Sequence, residues 1–179
     1  LPGYPSLTAE GVSANELSRA TDHLNRTSAG FISAINGLSD AQLNFKQGPT
    51  RWSVAEVAEH ISVAEDFLMT MIREQVMTAP ARAEAVNLKE IDDLVIQAIT
   101  DRTNKAQAPE PLAPNNQYGS TAGSLAHFKK SRARTLAFLH ETKDLRQHAI
   151  ESPFGKQLDG YQWLLFISGH SERHTKQIN

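Results

Sequence analysis

The 179-residue chain contains no cysteine, and this absence excludes several kinds of site. Without cysteine there is no disulfide framework and no metal site built on thiolates. The ligands that remain for a metal ion are histidine nitrogen, carboxylate oxygen and carbonyl oxygen. Any metal site in this protein is therefore expected to use histidine, carboxylate or carbonyl ligands.

The chain also lacks an excess of charge of either sign. It has 18 basic and 20 acidic residues, with a formal net charge of −2. The basic residues form no run, which argues against an electrostatic surface for nucleic acid. The longest apolar run, residues 163–167, is far shorter than the roughly 20 residues that span a bilayer as a helix. We therefore expect neither a nucleic-acid partner nor a membrane partner.

The absence of cysteine gives no redox evidence about the compartment. The sequence begins Leu1-Pro2-Gly3 without an initiator methionine, which is compatible with a removed signal peptide. Localisation is thus left open, with a soluble cytoplasmic protein favoured. The composition, 40% hydrophobic and 21% charged, is ordinary for a folded protein. We expect one domain, residues 1–179, large enough to bury a substantial core.

Helix-capping patterns predict four long helices. A capping box pairs a capping Ser, Thr or Asp with a Glu or Gln three residues later. Such boxes predict helices that begin after Ser13, Ser53 and Asp159. Apolar periodicity predicts a further helix, the third in order, from about Ser120 to Glu141. The predicted fold class is all-α, an antiparallel four-helix bundle with a long crossover between its second and third helices.

The crossover itself is predicted to contain a helix within residues 83–100 and a loop over residues 101–119. Prolines at 109, 111 and 114 favour an extended chain in that loop. Residues 39–43 are predicted to add a short helical turn between the first two long helices. No strand pattern of alternating polar and apolar residues occurs, so the sequence predicts no sheet.

Two histidines four residues apart, His170 and His174, lie near the end of the predicted fourth helix. Residues at this spacing share a helix face, with Cβ atoms about 5–6 Å apart. Both imidazoles can then reach one cation with bonds of ~2.0–2.1 Å, and His60 offers a third ligand from another helix. The pattern alone leaves structural or surface histidines as an equal alternative. With 7 His in 179 residues, chance gives roughly 0.3 such pairs per chain.

Two blocks of the sequence resemble the DinB-like superfamily. One block is residues 52–61, WSVAEVAEHI, and the other joins residues 161–163, YQW, to residues 170–178, HSERHTKQI. Residues 38–45, LSDAQLNF, resemble the segment that leads into the second helix of that family. The order of elements agrees over nearly the whole chain, and the resemblance is weakest over residues 78–119.

This resemblance implies a four-helix bundle with a three-histidine metal site. In the family, one histidine of the second helix and an HxxxH pair of the fourth bind a divalent ion. The matching positions in this sequence are His60, His170 and His174. Zn, Ni, Co and Fe all accept imidazole ligands, so the residues do not choose the ion.

The resemblance implies less about the reaction. Characterised members include metal-dependent S-transferases that use low-molecular-weight bacterial thiols, and others have been proposed as hydrolases. Three neutral imidazoles leave an ion with open coordination positions, as in catalytic sites. We therefore expect a metal-dependent enzyme, a thiol S-transferase or a hydrolase of a small molecule, with metal-activated thiol or water. The alternative is a noncatalytic metal-binding or interaction bundle. Family members often pair through bundle helices, so a homodimer is a further expectation.

Four other residues are candidates for supporting or lining the site. Gln177 shares a helix face with the histidine pair, with a solvated helix end as an equal alternative. Glu56, one turn before His60, is a candidate general base, although its capping box already accounts for it. Tyr161 is a candidate for the mouth of the site, with helix packing favoured. His23 is a candidate pocket residue, with a boundary position favoured.

Overall fold

The computed structural model describes residues 11–103 and 112–179. In chain order its elements are α1 (Ala14–Ile35), α2 (Asp40–Asn44), α3 (Val54–Met71) with a π-helical continuation (Ile72–Val76), α4 (Leu88–Thr100), α5 (Thr121–Glu141), β1 (Ala149–Glu151), β2 (Gln157–Asp159) and α6 (Gly160–Ile178). The chain start and residues 104–111 of the predicted loop lie outside the described residues. Across the described ranges, no helix is long and apolar enough to cross a membrane.

The predicted capping residues do begin the long helices. At α1, the Ser13 side chain accepts the backbone N–H of Glu16, and the Glu16 carboxylate accepts the backbone N–H of Ser13. The boxes at Ser53 and Asp159 have the same reciprocal bonds, and Ser120 caps α5. Such a box satisfies N–H groups that a helix start leaves free. The predicted starts of the four long helices are confirmed.

Side-chain contacts give the direction of α1 relative to α6. The hydroxyl of Tyr161 donates to the carbonyl oxygen of Glu16 at 2.7 Å. Seven residues further along each helix, Ser168 Oγ lies 2.5 Å from His23 Nδ1. Because the contacts advance together along both chains, α1 and α6 run in the same direction.

The other two long helices, α3 and α5, also run together. Ser62 donates to the carbonyl of Ser124 at 2.7 Å, and the later residues Glu65 and Thr135 meet at 2.9 Å. This pair runs opposite to α1 and α6, because the first half of α3 meets the second half of α6. Parallel neighbours cannot be joined by a tight turn, so the chain between α3 and α5 has to be long. The predicted four-helix bundle with its crossover is confirmed.

The helix within the crossover, α4, completes the core on one side of α6. Its apolar residues Ile91, Val95 and Ile99 are buried. Gly169 of α6 makes this approach feasible, since a Cβ there would lie 2.2 Å from Ile99 Cγ2. The crossover is therefore packed against the helix that carries the histidine pair.

The prediction that the chain contains no strand is wrong for one small hairpin. Ala149–Glu151 and Gln157–Asp159 pair as antiparallel strands, and Gly155 adopts a φ of 69° in the turn between them. Strands of 3 residues are too short to show a period-2 pattern. The hairpin ends at Asp159, the residue that caps α6, and so sets where that helix begins.

Candidate metal centre

Three histidines from two helices meet near the start of α3 and the end of α6. Nε2 of His60 lies 3.3 Å from Nε2 of His170 and 3.2 Å from Nε2 of His174. The three ligand atoms all lie within 4.8 Å of one another. Among residues 11–103 and 112–179, no other group of three His, Asp or Glu side chains converges in this way. We call these three residues the histidine cluster.

The nitrogen spacing in the cluster suits one tetrahedral ion. Two nitrogens that each lie ~2.0–2.1 Å from a tetrahedral centre are about 3.3 Å apart. The separations from His60, 3.2 and 3.3 Å, match this value. Three protein ligands would leave a fourth position for water or substrate. The donor set therefore fits a divalent ion of the kind expected from the sequence.

Hydrogen bonds at Nδ1 orient two of the rings. Nδ1 of His60 donates to the carbonyl oxygen of Leu112 at 2.8 Å. A carbonyl can only accept, so the Nδ1 of this neutral ring carries the proton and its Nε2 carries a lone pair. Nδ1 of His174 likewise donates to Oε1 of Gln177 at 3.0 Å. Two Nε2 lone pairs thus face each other across 3.2 Å, an arrangement that a cation between them would stabilise.

Burial keeps the cluster neutral. Burial lowers the pKa of His60, against a smaller rise from its bond to Leu112. Burial, followed by the charges that His174 and His60 would carry, holds the pKa of His170 well below its ordinary value. Burial and then His60 lower the pKa of His174 to about 4. All three imidazoles are therefore in their neutral form at neutral pH, each with one nitrogen lone pair available for a metal ion.

Glu59, beside His60 on α3, holds the loop that supplies the Leu112 carbonyl. Its buried carboxylate accepts the backbone N–H groups of residues 115–117 at 2.8–2.9 Å. Asn116 has a φ of 61°, in the left-handed region, where the chain turns around the carboxylate. Sequence reasoning missed Glu59. Its signal was a charged residue on the apolar face that the helix buries, directly before a predicted ligand.

A buried ion pair fixes α6 beside the cluster. Arg132 of α5 donates to both carboxylate oxygens of Glu65 on α3, at 2.7 and 3.0 Å. The same guanidinium donates to Ser171 Oγ of α6 at 2.8 Å and to the Leu24 carbonyl of α1 at 2.6 Å. All four long helices are therefore joined next to His170. Periodicity did not reveal this network, because its residues come from separate helices.

Aromatic rings cover two of the imidazoles. The Trp52 ring centroid lies 5.0 Å from that of His60. The Phe166 ring stacks on His170 with the centroids 6.5 Å apart. Apolar neighbours of this kind exclude water from the ligand rings and strengthen electrostatic interactions at the cluster.

Two arginines add positive charge to the same region. Arg102 donates to the backbone carbonyl of Arg173 at 2.8 Å, and both guanidinium groups contribute to the lowered pKa of His174. The cluster itself contributes no negative ligand. An ion bound there would keep its full charge.

Glu56 caps the start of α3 and is not directed to the histidine cluster. Its carboxylate accepts the backbone N–H of Ser53 and pairs with Lys46 at 3.1 Å. Burial acts to raise the pKa of Glu56, but the hydrogen bonds from Ser53 and Lys46 outweigh it and lower the pKa. A carboxylate held in its ionised form by these partners is a weak proton acceptor.

The two remaining candidates lie in the core. Tyr161 is 0% exposed and bonds the carbonyl of Glu16, so it has the packing role that the sequence favoured and does not line the mouth of the site. His23 is only 6% exposed, with its Nδ1 paired to Ser168. The boundary position favoured for His23 is wrong, because its side chain enters the polar network between α1 and α6.

Comparisons with known proteins agree with this architecture. The solved structure of YfiT from Bacillus subtilis, described as a probable metal-dependent hydrolase with an unusual four-helix bundle topology, matches with a TM-score of 0.56. The match covers 98% of this chain and 89% of YfiT at 16% sequence identity, so it shows a shared fold. The uncharacterized protein YuaE of Bacillus subtilis (strain 168) is 29% identical over 145 residues, 80% of this chain and 85% of YuaE. The model of the DinB superfamily matches residues 23–178. The chain, with its four-helix bundle and converging histidines, therefore belongs to the DinB superfamily.

Proposed function

We propose that His60, His170 and His174 bind one divalent metal ion through their Nε2 atoms, and that the chain is a metal-dependent enzyme acting on a small molecule. The observation that carries this proposal is the pair of unprotonated Nε2 atoms facing each other at 3.2 Å, each in a ring whose Nδ1 is held by an acceptor. Zn, Ni, Co and Fe all suit three imidazoles. A bound ion would lower the pKa of water or of a thiol toward neutrality.

The protein's own residues have two tasks in this proposal. Leu112 and Gln177 hold the imidazoles in the tautomer that presents Nε2, while Glu59 keeps the Leu112 loop in place. Arg102 and Arg173 supply positive charge that attracts an anionic reactant, such as a thiolate or a carboxylate-bearing substrate. Thiol S-transfer and hydrolysis are both compatible with these tasks. The description of YfiT favours testing hydrolysis first.

The second candidate function is a noncatalytic bundle in which the ion joins α3 to α6. One observation favours it. Among the described residues, none of the side chains that hydrogen-bond to the three imidazoles is a carboxylate, and Glu56 is occupied by its cap. A site without a nearby general base depends on the ion and on the reactant itself for proton transfer.

Elemental analysis of the dialysed protein tests the metal proposal. We expect about one divalent ion per chain in the wild type and none in His170→Ala, since two histidine ligands alone hold an ion weakly. His140→Ala is the matched control, because His140 is exposed on α5 and bonds Thr21 instead of the cluster. Retention of one ion per chain by His170→Ala would overturn the three-histidine site.

A reaction panel then separates the two functions. The metal-loaded protein is assayed for hydrolysis of small esters and amides and for transfer of low-molecular-weight thiols to an electrophile. Activity that disappears in His170→Ala and persists in His140→Ala supports the enzyme. Stoichiometric metal with no turnover in either assay favours the noncatalytic bundle.

A further inference from the structure

A polar cleft of about 300 Å³ lies between α3 and α5. Residues 66, 69, 70 and 73 line it from the α3 side, and residues 131 and 134 line it from α5. Spacings of three, four and seven residues place side chains on one face of a helix, so each helix turns a single face to the cleft. None of the six lining residues is a hydrogen-bond partner of the three histidines. The cleft is therefore a separate candidate site, with the volume of a small-ligand pocket.

Two arginines line this cleft together with a single carboxylate. Arg134 pairs with Asp66 at 3.4 Å. Arg73 has no ion pair with a carboxylate in the described parts of the chain. Its guanidinium carbon lies 5.6 Å from the centre of the Phe138 ring, which attracts the cation without neutralising it. The cleft therefore has an uncompensated positive charge.

The carboxylate of the cleft does not compensate that charge, because both oxygens of Asp66 have other partners. Oδ2 pairs with Nε2 of His127, and Oδ1 pairs with Arg134. The His127 ring is itself stacked on Tyr118, with the centroids 4.4 Å apart. Burial acts to raise the pKa of Asp66, but the hydrogen bonds from Ser131 and His127 outweigh it and lower the pKa. The carboxylate is therefore ionised at neutral pH and held by partners of its own.

A free hydroxyl and an unusual helical turn also belong to the cleft. The Thr70 hydroxyl has no hydrogen-bond partner among the described residues, so it can donate to a ligand. Ser131 Oγ accepts from Arg134 at 3.1 Å and positions that guanidinium. Arg73 lies in the π-helical continuation of α3, and π-helical turns are rare and frequently occur at functional sites. The free donors of the cleft are thus one guanidinium and one hydroxyl, with a second guanidinium beside them.

We propose that this cleft binds the phosphate group of a small soluble phosphate ester. Arg73 and Arg134 donate to the phosphate oxygens, and Thr70 adds a hydroxyl donor. A carboxylate is satisfied by one guanidinium, whereas a phosphate group has three terminal oxygens and a charge of about −2, which suits two guanidinium groups and a hydroxyl. The cleft is larger than a phosphate ion, so the body of the ester lies in the remaining volume beside Met69. This site is independent of a metal ion in the histidine cluster.

Calorimetric titration of the chelated and dialysed protein tests the proposal, because a metal ion in the histidine cluster would also attract phosphate. The probe is glycerol 3-phosphate at low ionic strength, with glycerol and acetate as comparisons. We expect one glycerol 3-phosphate per chain, bound at least about tenfold more tightly than acetate, and no detectable binding of glycerol. The affinity should fall as salt is added, because salt screens exposed guanidinium groups. Equal affinities for glycerol 3-phosphate and acetate, or no binding of glycerol 3-phosphate, would overturn the proposal.

Inorganic phosphate separates a site for an ester from a site for the free ion. It should bind in the same cleft but more weakly than glycerol 3-phosphate, because it leaves part of the volume unfilled. Tighter binding of inorganic phosphate would assign the cleft to the free ion and overturn the assignment to an ester.

Variants of the lining residues locate the phosphate group. Arg73→Gln should weaken binding of glycerol 3-phosphate about tenfold, and Arg73→Lys should lose less, because it keeps the charge without the planar fork. Thr70→Val keeps the shape of the side chain without its hydroxyl and should weaken binding about threefold. Arg26→Gln, a change at an exposed arginine of α1, is the control and should bind as the wild type does. If Arg73→Gln, shown by circular dichroism to be folded, keeps the full affinity, the phosphate group does not bind in this cleft.

A comparison with the metal-loaded protein separates the cleft from the histidine cluster. The titrations are repeated on the metal-loaded wild type and on His170→Ala. Binding of glycerol 3-phosphate that is the same in the chelated wild type and in His170→Ala supports the cleft. Binding that appears only in the metal-loaded wild type places the phosphate on the ion and overturns the cleft proposal, while the three-histidine site remains.

Discussion

The two ends of α6 contain buried polar groups of opposite kinds. Near its first residues, Arg146 donates to both oxygens of Asp92 at 2.9 and 2.8 Å and to Asp159 at 3.1 Å, and it also pairs with Glu16. The guanidinium carbon of Arg146 lies 4.0 Å from the centre of the Tyr161 ring. Near the last residues of α6 lies the histidine cluster, which is neutral and contains no carboxylate.

The difference shows at which end of α6 the buried polar groups find all their partners within the chain. Each carboxylate around Arg146 bonds its guanidinium, and Arg82 adds a second positive charge 3.6 Å from Asp159, so every buried charge has a partner of opposite sign within the chain. In the histidine cluster, by contrast, the Nε2 atoms of His60 and His174 face each other as acceptors at 3.2 Å. A metal cation between two such acceptors would stabilise them. The first end is therefore structural, and the second has the properties of a binding site.

The largest expected effect is the loss of stability when Arg146, near the start of α6, is replaced. Arg146→Met should lower the free energy of unfolding by ~3–5 kcal/mol, because it leaves the buried carboxylates of Asp92 and Asp159 without their partner. Urea unfolding at neutral pH measures this loss. The matched control is Arg19→Met, whose exposed ion pair with Asp93 should contribute at most ~1 kcal/mol. Equal losses in the two variants would contradict the comparison.

The second effect concerns the histidine end and requires metal. Saturation at 100 times the Kd should stabilise the native state by ~2.7 kcal/mol, or about 5–10 °C in melting temperature. A chelator should therefore lower the melting temperature of the wild type and of His140→Ala, while His170→Ala should not respond. Differential scanning calorimetry provides the measurement. A chelator that shifts all three proteins equally would show that the ion binds elsewhere.

A smaller effect is expected at the residue that orients His174. Gln177→Leu removes the acceptor of its Nδ1–H and should weaken metal binding by roughly 10–100-fold, as loss of a hydrogen bond to a ligand commonly does. Competition with a chromogenic chelator gives the affinity. Gln97→Leu, at an exposed position of α4, is the control and should leave the affinity unchanged. An unchanged affinity in Gln177→Leu would show that the orientation of His174 does not depend on this bond.

The last effect, which is small near neutral pH, is the pH dependence of stability in the metal-free protein. The pKa of His174 is about 4 in the folded chain against an ordinary 6.5, so the unfolded chain binds more protons between these values. The free energy of unfolding should be at its full value above pH 6.5 and should fall as pH decreases from 6.5 to about 4. Urea midpoints measured with chelator should show a shallower decline in His174→Asn than in the wild type. Identical pH profiles would contradict the lowered pKa.

Local features of the sequence were sufficient to predict the long helices and the His170–His174 pair of the histidine cluster. Capping boxes and apolar periodicity act within a single turn or two, so the starts of α1, α3 and α6 could be read directly. The spacing of His170 and His174 is likewise a property of one helix. His60 could be named as a possible third ligand, but no spacing within one helix links it to the pair, and the family resemblance gave the reason to place it there. The small hairpin before α6 was missed, because strands of 3 residues carry no recognisable pattern.

The tertiary structure alone decided how the histidines are held and what surrounds them. The Leu112 carbonyl reaches His60 from a loop 52 residues away in sequence, and the Glu59 carboxylate of α3 holds that loop in place. Arg146 likewise brings together residues as distant in sequence as Glu16 and Asp159. Periodicity and spacing describe the geometry within one helix. The tautomer, burial and charge of each imidazole depend on contacts between helices, which form only when the chain has packed.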